Sequence, residues 1–499
     1  MNKFVKAPDF VTFNECVEND FKLSSSLYKK LIMKNTNVKL VSDFLLRNLS
    51  NSDLGTEIGS LSYIDKSTHY FLRTKGLQKH SFIPVITKES VLPMLPTDFV
   101  NMNLMKGDLI ISKDSNIGEI AILEKDYPNY MLSSAIYKLP VKEEWKYYLF
   151  AMIKHAIFRE QLDAIVPKGA TIRHAKTLFL KCIIPLPNKN LNEVIRYISA
   201  ITKQIVEKES LIQKRHEDIL RLIETELLQN QNDVKFMYNL PCINEVEQIG
   251  RLDTSLYSQY FKNQIFKITN YKYGSKNIFE LDFTLSRGQN LQVSNIGDSI
   301  YSLEKHKNFY TLILPKFLSR YGTIEKEEYL GNKNNLRTLD KGDIIFGAEG
   351  FEKGRSIVVL EKQDKIITNI HGITIQHRYK NISLSVFIKL FLDYLRSKEL
   401  VDLYAVGGNG GSLAQKYWDI IPFPLFPESK QNEIVKLYTN DNIVFNLSEV
   451  SLDNFENVDS KFNEQAGIYE LDNSVKYLKG LLDNAINNIV NDIDVQLIF

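Results

Sequence analysis

Residues 191–229 read LNEVIRYISAITKQIVEKESLIQKRHEDILRLIETELLQ, a run with no proline and no glycine. Ile198, Ile201, Ile205, Ile212, Ile219 and Leu222 fall on one stripe of three- and four-residue spacing, interrupted by Lys208 and Arg215 where the stripe would continue. That period predicts one long helix with coiled-coil character. The stretch holds six Lys/Arg against seven Asp/Glu. A near-neutral helix does not grip phosphates along its length, so it reads as a spacer or interaction element. The competing reading is an ordinary core helix.

Outward from this helix, the chain repeats itself. MKGDLIIS at 105–112 runs into NIGEIAILEK at 116–125, and DKGDIIFG at 340–347 runs into EKGRSIVVLEK at 352–362. Gly107 and Gly342 are 235 residues apart; Leu123 and Leu360, and Ile184-Pro185-Leu186-Pro187 and Ile421-Pro422-Phe423-Pro424, are 237 apart. Leu27-Tyr28 and Leu256-Tyr257 add a fourth landmark at 229. Four marks in one order at nearly one offset describe two copies of a single unit.

Each copy reads alike. A Gly-Asp turn, with glycine for the tight backbone and aspartate to bond the turn amides, leads into two short apolar strands. A helix follows at 143–166 or 382–406, then a loop, PKGATIRH or GGNGGS, then the Ile-Pro-x-Pro strand, where proline ends pairing. After that strand the copies differ. The first enters the long helix; the second has a shorter amphipathic piece, a non-helical stretch at about 441–467, and a helical pattern at Leu471, Val475, Leu478, Leu482, Ala485 and Ile489. The expected fold class is α+β: two repeated mixed domains joined by long antiparallel, coiled-coil-like helices. The expected divisions are a first domain at 1–190, a spacer helix at 191–230, a second domain at 231–428 and a C-terminal helical region at 429–499. Ile198, Ile205, Ile212 and Ile219 are expected to face Val475, Leu478, Leu482 and Ile489.

With 499 residues, 44% hydrophobic and 24% charged, the chain has material for several cores. It has no apolar run of eighteen residues, and MNKFVKAPDF lacks a signal-peptide core, so a cytoplasmic protein with no membrane contact is expected. Cys16, Cys182 and Cys242 stand far apart without a CxxC pair, which supports neither a disulfide framework nor a thiolate zinc site; buried thiols are expected. The net charge of +2 hides an asymmetry. Residues 440–499 carry 3 Lys/Arg against 11 Asp/Glu, the rest 59 against 49. A basic body points to a polyanion partner, an acidic tail to protein or solvent.

Catalytic motifs are missing. There is no GxxxxGK[ST], no HExxH, no Asp/Asn-Pro-Pro-aromatic clamp and no strand-borne GxG loop. The cluster Gly407, Gly408, Asn409, Gly410, Gly411 follows a helix instead of preceding one, the wrong context for a nucleotide cradle. Asp114 with Glu119, or Glu349 with Glu352, beside Lys113 or Lys353, could form a nuclease metal site; solvated loop charges are the simpler reading. The eight histidines are scattered, with His371 and His377 six apart and no partner cysteine. No metal or catalytic residue is assigned.

Both copies offer the side chains of a groove reader. The first has Arg73, Lys75 and Lys79, then Lys113 and Asn116, then Lys168 and Arg173; the second has Arg287, then Lys316, Arg320 and Tyr321, then Lys353 and Arg355. Arginine can take guanine bidentately, asparagine can take adenine, and lysine mostly neutralises phosphate.

The KGDLIIS and KGDIIFG turns, the strand pairs after them, the loops before IPLP and IPFP, and the long helix resemble the specificity subunits of Type I restriction-modification systems. The likeness spans nearly the whole chain. It implies a non-catalytic subunit whose two target-recognition domains each read one half of a split site in double-stranded DNA. It implies helices that fix the separation of those domains, with Ile198, Ile205, Ile212, Ile219, Leu478 and Leu482 on the helix faces. It also implies partners: two modification subunits that methylate adenine with S-adenosylmethionine, and two restriction or translocase subunits that use ATP and Mg, with no cofactor in this chain. A helix of this length, at ~1.5 Å per residue about 55–60 Å, could bridge more than one DNA turn of roughly 34 Å. The stretch at 441–467 departs from the pattern and leaves open a related system with a fused restriction-methylation partner. A stand-alone nuclease or methyltransferase, or an adaptor that binds only proteins, are the readings from other classes.

Overall fold

A computed structural model describes residues 3–18, 20–21, 28–166, 174–350, 352–361, 365–407, 411–445 and 450–499. The chain forms two compact units. The first comprises residues 1–211, 444–464 and 471–499, and the second 212–443 and 465–470.

In the first unit the apolar run after the Gly-Asp turn becomes the strand Leu109–Ser112. It is flanked antiparallel by Ile120–Ile122 and Ile136–Leu139. Its side chains alternate between two cores: Leu109 and Ile111 join a large cluster with the helices, while Ile110 packs with Leu72, Ala121 and Leu132. Burial on both faces is why the run reads as continuously apolar. The second sheet has His69–Leu72 at its centre, antiparallel to Val91–Met94 and parallel to Tyr130–Leu132.

The second unit repeats both sheets. Ile344–Gly347 lies between Ser356–Val358 and Gly372–His377, and Phe283–Arg287 extends this sheet by one strand. Tyr310–Leu312 is antiparallel to Glu328–Asn332 and parallel to Ile366–Ile367, with Ser299–Ser302 at the edge. The proline-ended strands Ile183–Pro185 and Phe423–Pro424 pair antiparallel with Val38–Leu40 and Ser275–Lys276. At the Gly-Asp turns Gly107 and Gly342 have φ of +88° and +92°, a region that disfavours any side chain. Asp108 accepts from the Met105 N–H at 2.7 Å and Asp343 from the Asp340 N–H at 2.9 Å, as the turn chemistry predicts.

The helices expected at 143–166 and 382–406 are each broken. In the first copy Lys146–Lys154 gives way to Ala156–Ile165 because His155 turns extended and caps the new helix, its Nδ1 accepting from the Ile157 N–H at 3.2 Å. In the second, Ile382–Ser397 and Leu400–Tyr404 are separated at Glu399, which has φ of +60°.

Leu191–Gln229 is a single helix. Its two halves are buried differently. Val194, Tyr197, Ile198, Ile201, Thr202, Gln204, Ile205 and Lys208 are all buried, which leaves little of that half for solvent, so the half that enters the first unit is also part of its core. Beyond residue 211 only the stripe Ile212, His216, Ile219, Ile223, Leu227 is buried, and it belongs to the second unit. Of the expected facing set, Ile198 and Ile205 share a core with Val475, Leu478, Leu482 and Ile489, and Ile212 and Ile219 are assigned to the second unit.

Within the stretch expected to be non-helical at 441–467 lies a helix, Phe455–Gln465. It runs alongside the long helix in the same sense: Arg196 pairs with Asp453 at 2.9 Å, Lys203 with Glu456 at 3.1 Å and Lys208 with Asp459 at 2.8 Å. Its buried stripe is Phe455, Asp459 and Asn463. With two of three positions polar, a search for apolar period passes over it. Ile468–Val490 then returns antiparallel, Lys479 meeting Glu209 at 2.6 Å and the Tyr197 hydroxyl donating to the Ile498 carbonyl. Cys182 is buried as expected, but Cys242 is exposed on the surface.

Candidate nucleic-acid interface

The residues proposed to meet DNA lie on two equivalent loops and on the turns beside them. In the first unit the loop follows the strand His69–Leu72. Arg73, Lys75 and Lys79 are exposed on it, with Lys75 paired to Glu89 at 2.6 Å. The loop is held from beneath. Asn116 spends its amide on the carbonyls of Thr74 and Leu77, each at 3.3 Å, and so braces the loop instead of projecting from it. Lys154 turns its ammonium onto the carbonyls of Gln78 at 2.9 Å and Ser81 at 2.5 Å. Burial pulls that ammonium down to about 7, against the opposing pull of Glu119 and Glu209. Glu209, on the long helix, accepts from the Phe82 N–H at 2.7 Å. Lys168 and Arg173 lie outside the described residues.

In the second unit the loop follows Tyr310–Leu312. Lys316 is exposed and stacks on the Phe317 ring at 4.7 Å, and Lys326 reaches the same ring at 4.6 Å. Lys326 is a cation that reading along the chain did not single out, since it meets Lys316 only through the fold. Arg320 lies over Tyr321 at 5.9 Å, and Tyr321 meets His216 of the long helix edge-on at 5.4 Å. Arg355 donates to the Leu318 carbonyl at 2.8 Å and pairs with Glu352 at 2.8 Å, and Lys353 pairs with Asp402 at 2.7 Å. Their side chains are only 14% and 9% exposed. They support the loop and offer a ligand little surface. Lys389, 235 residues after Lys154, lies buried between Asp393 at 2.7 Å and the Tyr438 ring at 4.4 Å. Desolvation lowers its pKa, opposed by Asp393.

Between loop and helix each unit places a carboxylate two residues beyond its central strand. These are Asp114 and Glu349, again 235 apart. Asp114 pairs with Lys113 at 2.9 Å and with His174 Nδ1 at 2.7 Å. Glu349 pairs with Arg287 at 3.0 Å and with His371 Nδ1 at 2.6 Å. Burial acts to raise the Glu349 carboxyl, but the bonds from His371 and Arg287 outweigh it and hold it below the usual carboxylate range. The loop after the helix comes back to each carboxylate residue through an antiparallel bridge, Asp114 with His174 and Glu349 with Ser412. Among the described residues no group of three or more His, Cys, Asp or Glu is placed to hold a metal ion, and no helix is long and apolar enough to cross a membrane.

The chain is similar to solved structures of specificity subunits. One is the S subunit of a Type I restriction-modification system from M. genitalium, at 12% identity over 93% of this chain and 99% of that one, with a TM-score of 0.42. Another is the HsdS subunit from Thermoanaerobacter tengcongensis, at 14% identity, covering 92% and 97%, with a TM-score of 0.27. A third belongs to a structural study of complex assembly and conformational transition in the type I R-M system, at 14% identity, covering 92% and 99%, with a TM-score of 0.27. No family model and no curated protein matches the chain.

Proposed function

We propose that this chain is a non-catalytic DNA-specificity subunit of a Type I restriction-modification complex, each unit reading one half of a split duplex site. The observation that carries the reading is the duplication of the surface itself. Two loops with exposed cations, braced by Lys154 in one copy and Arg355 in the other, stand beside two equivalent carboxylate turns. Two similar faces on one chain suit two half-sites, since binding the first raises the effective concentration of the second. Modification and restriction subunits would be the partners, and S-adenosylmethionine, ATP and Mg would be theirs.

The test is selection of duplexes from a random pool by the full-length chain, followed by titration of selected against scrambled DNA between 50 and 200 mM salt, a range of about four-fold. Selected sequences should share two short motifs with an unspecified spacer. Replacing Arg73 and Lys79 by alanine should weaken one motif, and replacing Lys316 and Arg320 the other, each with a salt slope smaller by about 1 for every phosphate no longer neutralised. Equal affinity for every duplex would remove the reading.

A further inference from the structure

The carboxylate turns hold more than a support. We propose that His174 and His371 are specificity-determining contacts whose Nε2 atoms accept a hydrogen bond from the exocyclic amine of adenine or cytosine in the major groove. The proposal rests on the DNA-reading function argued above and names residues of that surface.

Asp114 and Glu349 occupy equivalent positions, but their partners do not. Asp114 takes its cation from the adjacent Lys113, whereas Glu349 takes its cation from Arg287 at the end of the outer strand Phe283–Arg287 of the same sheet. The histidines differ likewise: His174 lies on the connection between the helix Ala156–Ile165 and the strand Ile183–Pro185, and His371 precedes the strand Gly372–His377. The same trio of cation, carboxylate and imidazole is thus assembled twice from non-equivalent donors. A scaffold residue inherited from one ancestral unit would keep one origin, so the double assembly points to a demand made by a ligand common to both units.

The chemistry of the trio sets what it can recognise. An ionised carboxylate only accepts, so each Nδ1 carries its proton towards Asp114 or Glu349, at 2.7 and 2.6 Å. In the neutral ring Nε2 is then a fixed acceptor. Lys113 and Arg287 pair with the same carboxylates that hold the imidazoles. The two side chains are 55% and 60% exposed, and neither Nε2 has a partner among the described residues. An outward acceptor fixed in direction complements the N6 amine of adenine or the N4 amine of cytosine, the donors of the major-groove edge.

The full-length chain is compared with its His174→Ala, His371→Ala and His371→Asn variants on selected and scrambled duplexes. Asparagine keeps a donor near the Nδ1 position for Glu349 and deletes Nε2. His371→Ala and His371→Asn should both lower the preference for selected DNA about tenfold, and His174→Ala should do so in the other half-site, with the salt slope and unfolding midpoint unchanged. In a duplex with purine for adenine, or 2-pyrimidinone for cytosine, at the contacted position, the native chain should lose the same factor and the variant nothing further. A slope smaller by about 1 with preference intact would make the histidine a phosphate contact and overturn the proposal. Preference lost in His371→Ala but kept in His371→Asn would make the pair a structural latch and overturn it too. If the native chain itself prefers no sequence, the functional reading fails and takes the proposal with it.

Discussion

At Gly288 a single added carbon has nowhere to go. A Cβ there would lie 2.2 Å from the Asn369 carbonyl oxygen, and at Gly55, the counterpart, 2.2 Å from that of Ser133. Backbone cannot step aside as a side chain can, so Gly288→Ala should cost several kcal/mol, on the order of 3, and lower the urea midpoint. Gly59→Ala, with open space around it, should leave the midpoint within experimental scatter. Lys154 gives a pH test. Its ammonium releases its proton at about 7 in the native state, whereas the unfolded chain keeps it to 10.5. Between these values the unfolded state binds more protons, so stability contributed at this site rises with pH. The urea midpoint of the native chain relative to Lys154→Met should climb from pH 7 to 10; a flat difference would place the ammonium in solvent. At this scale the sequence was partly legible. The Gly-Asp turns show because a positive φ restricts the residue type, but the partners of Asp114 and Glu349 lie 60 and 22 residues away and come from unlike places, so no spacing rule connects them.

Among the elements, the helix Phe455–Gln465 depends on a polar contact. Lys208 and Asp459 are fully buried, Asn463 accepts from Lys208, and the ammonium faces the rings of Phe445 at 5.2 Å and Phe462 at 4.7 Å. Lys208→Met would leave Asp459 without its counter-charge, a loss of about 3–5 kcal/mol. The double change Lys208→Met, Asp459→Leu should recover most of it, as read by denaturant midpoints. Such a pair adds little net stability but opposes sliding of one helix along the other, since any other register buries an unmatched charge. Sequence periodicity located the long helix and both strand pairs because their buried positions are apolar. It missed this helix because its buried positions are mostly polar. Ile205 is buried in the first unit's core, so Ile205→Glu should unfold that unit, as read by a lower denaturant midpoint for it.

For the whole molecule, the repeat was legible from a few glycines and prolines at one offset, whereas the division into units was not. The first unit needs residues 444–464 and 471–499, and the second takes back 465–470, where Glu470 accepts from the Thr439 hydroxyl at 2.8 Å and the Asn440 and Gly467 N–H groups. A chain ending at residue 443 should therefore lose protease resistance in residues 3–211 first. Mass spectrometry of limited digests would show it, and equal resistance across the chain would contradict the assignment.

The interleaving also orders events during synthesis. Residues 1–211 leave the ribosome early, yet Ile198, Ile201 and Ile205 wait for Leu478, Leu482 and Ile489 to cover them. At ~5–20 residues per second the delay from residue 211 to residue 489 is roughly 14 to 56 s. For that interval the nascent chain presents an uncovered apolar helix face, while the strands beside it have everything they need to pair. The unit that begins first is the one that finishes last, and its apolar face stays open to aggregation until after the second unit has been made.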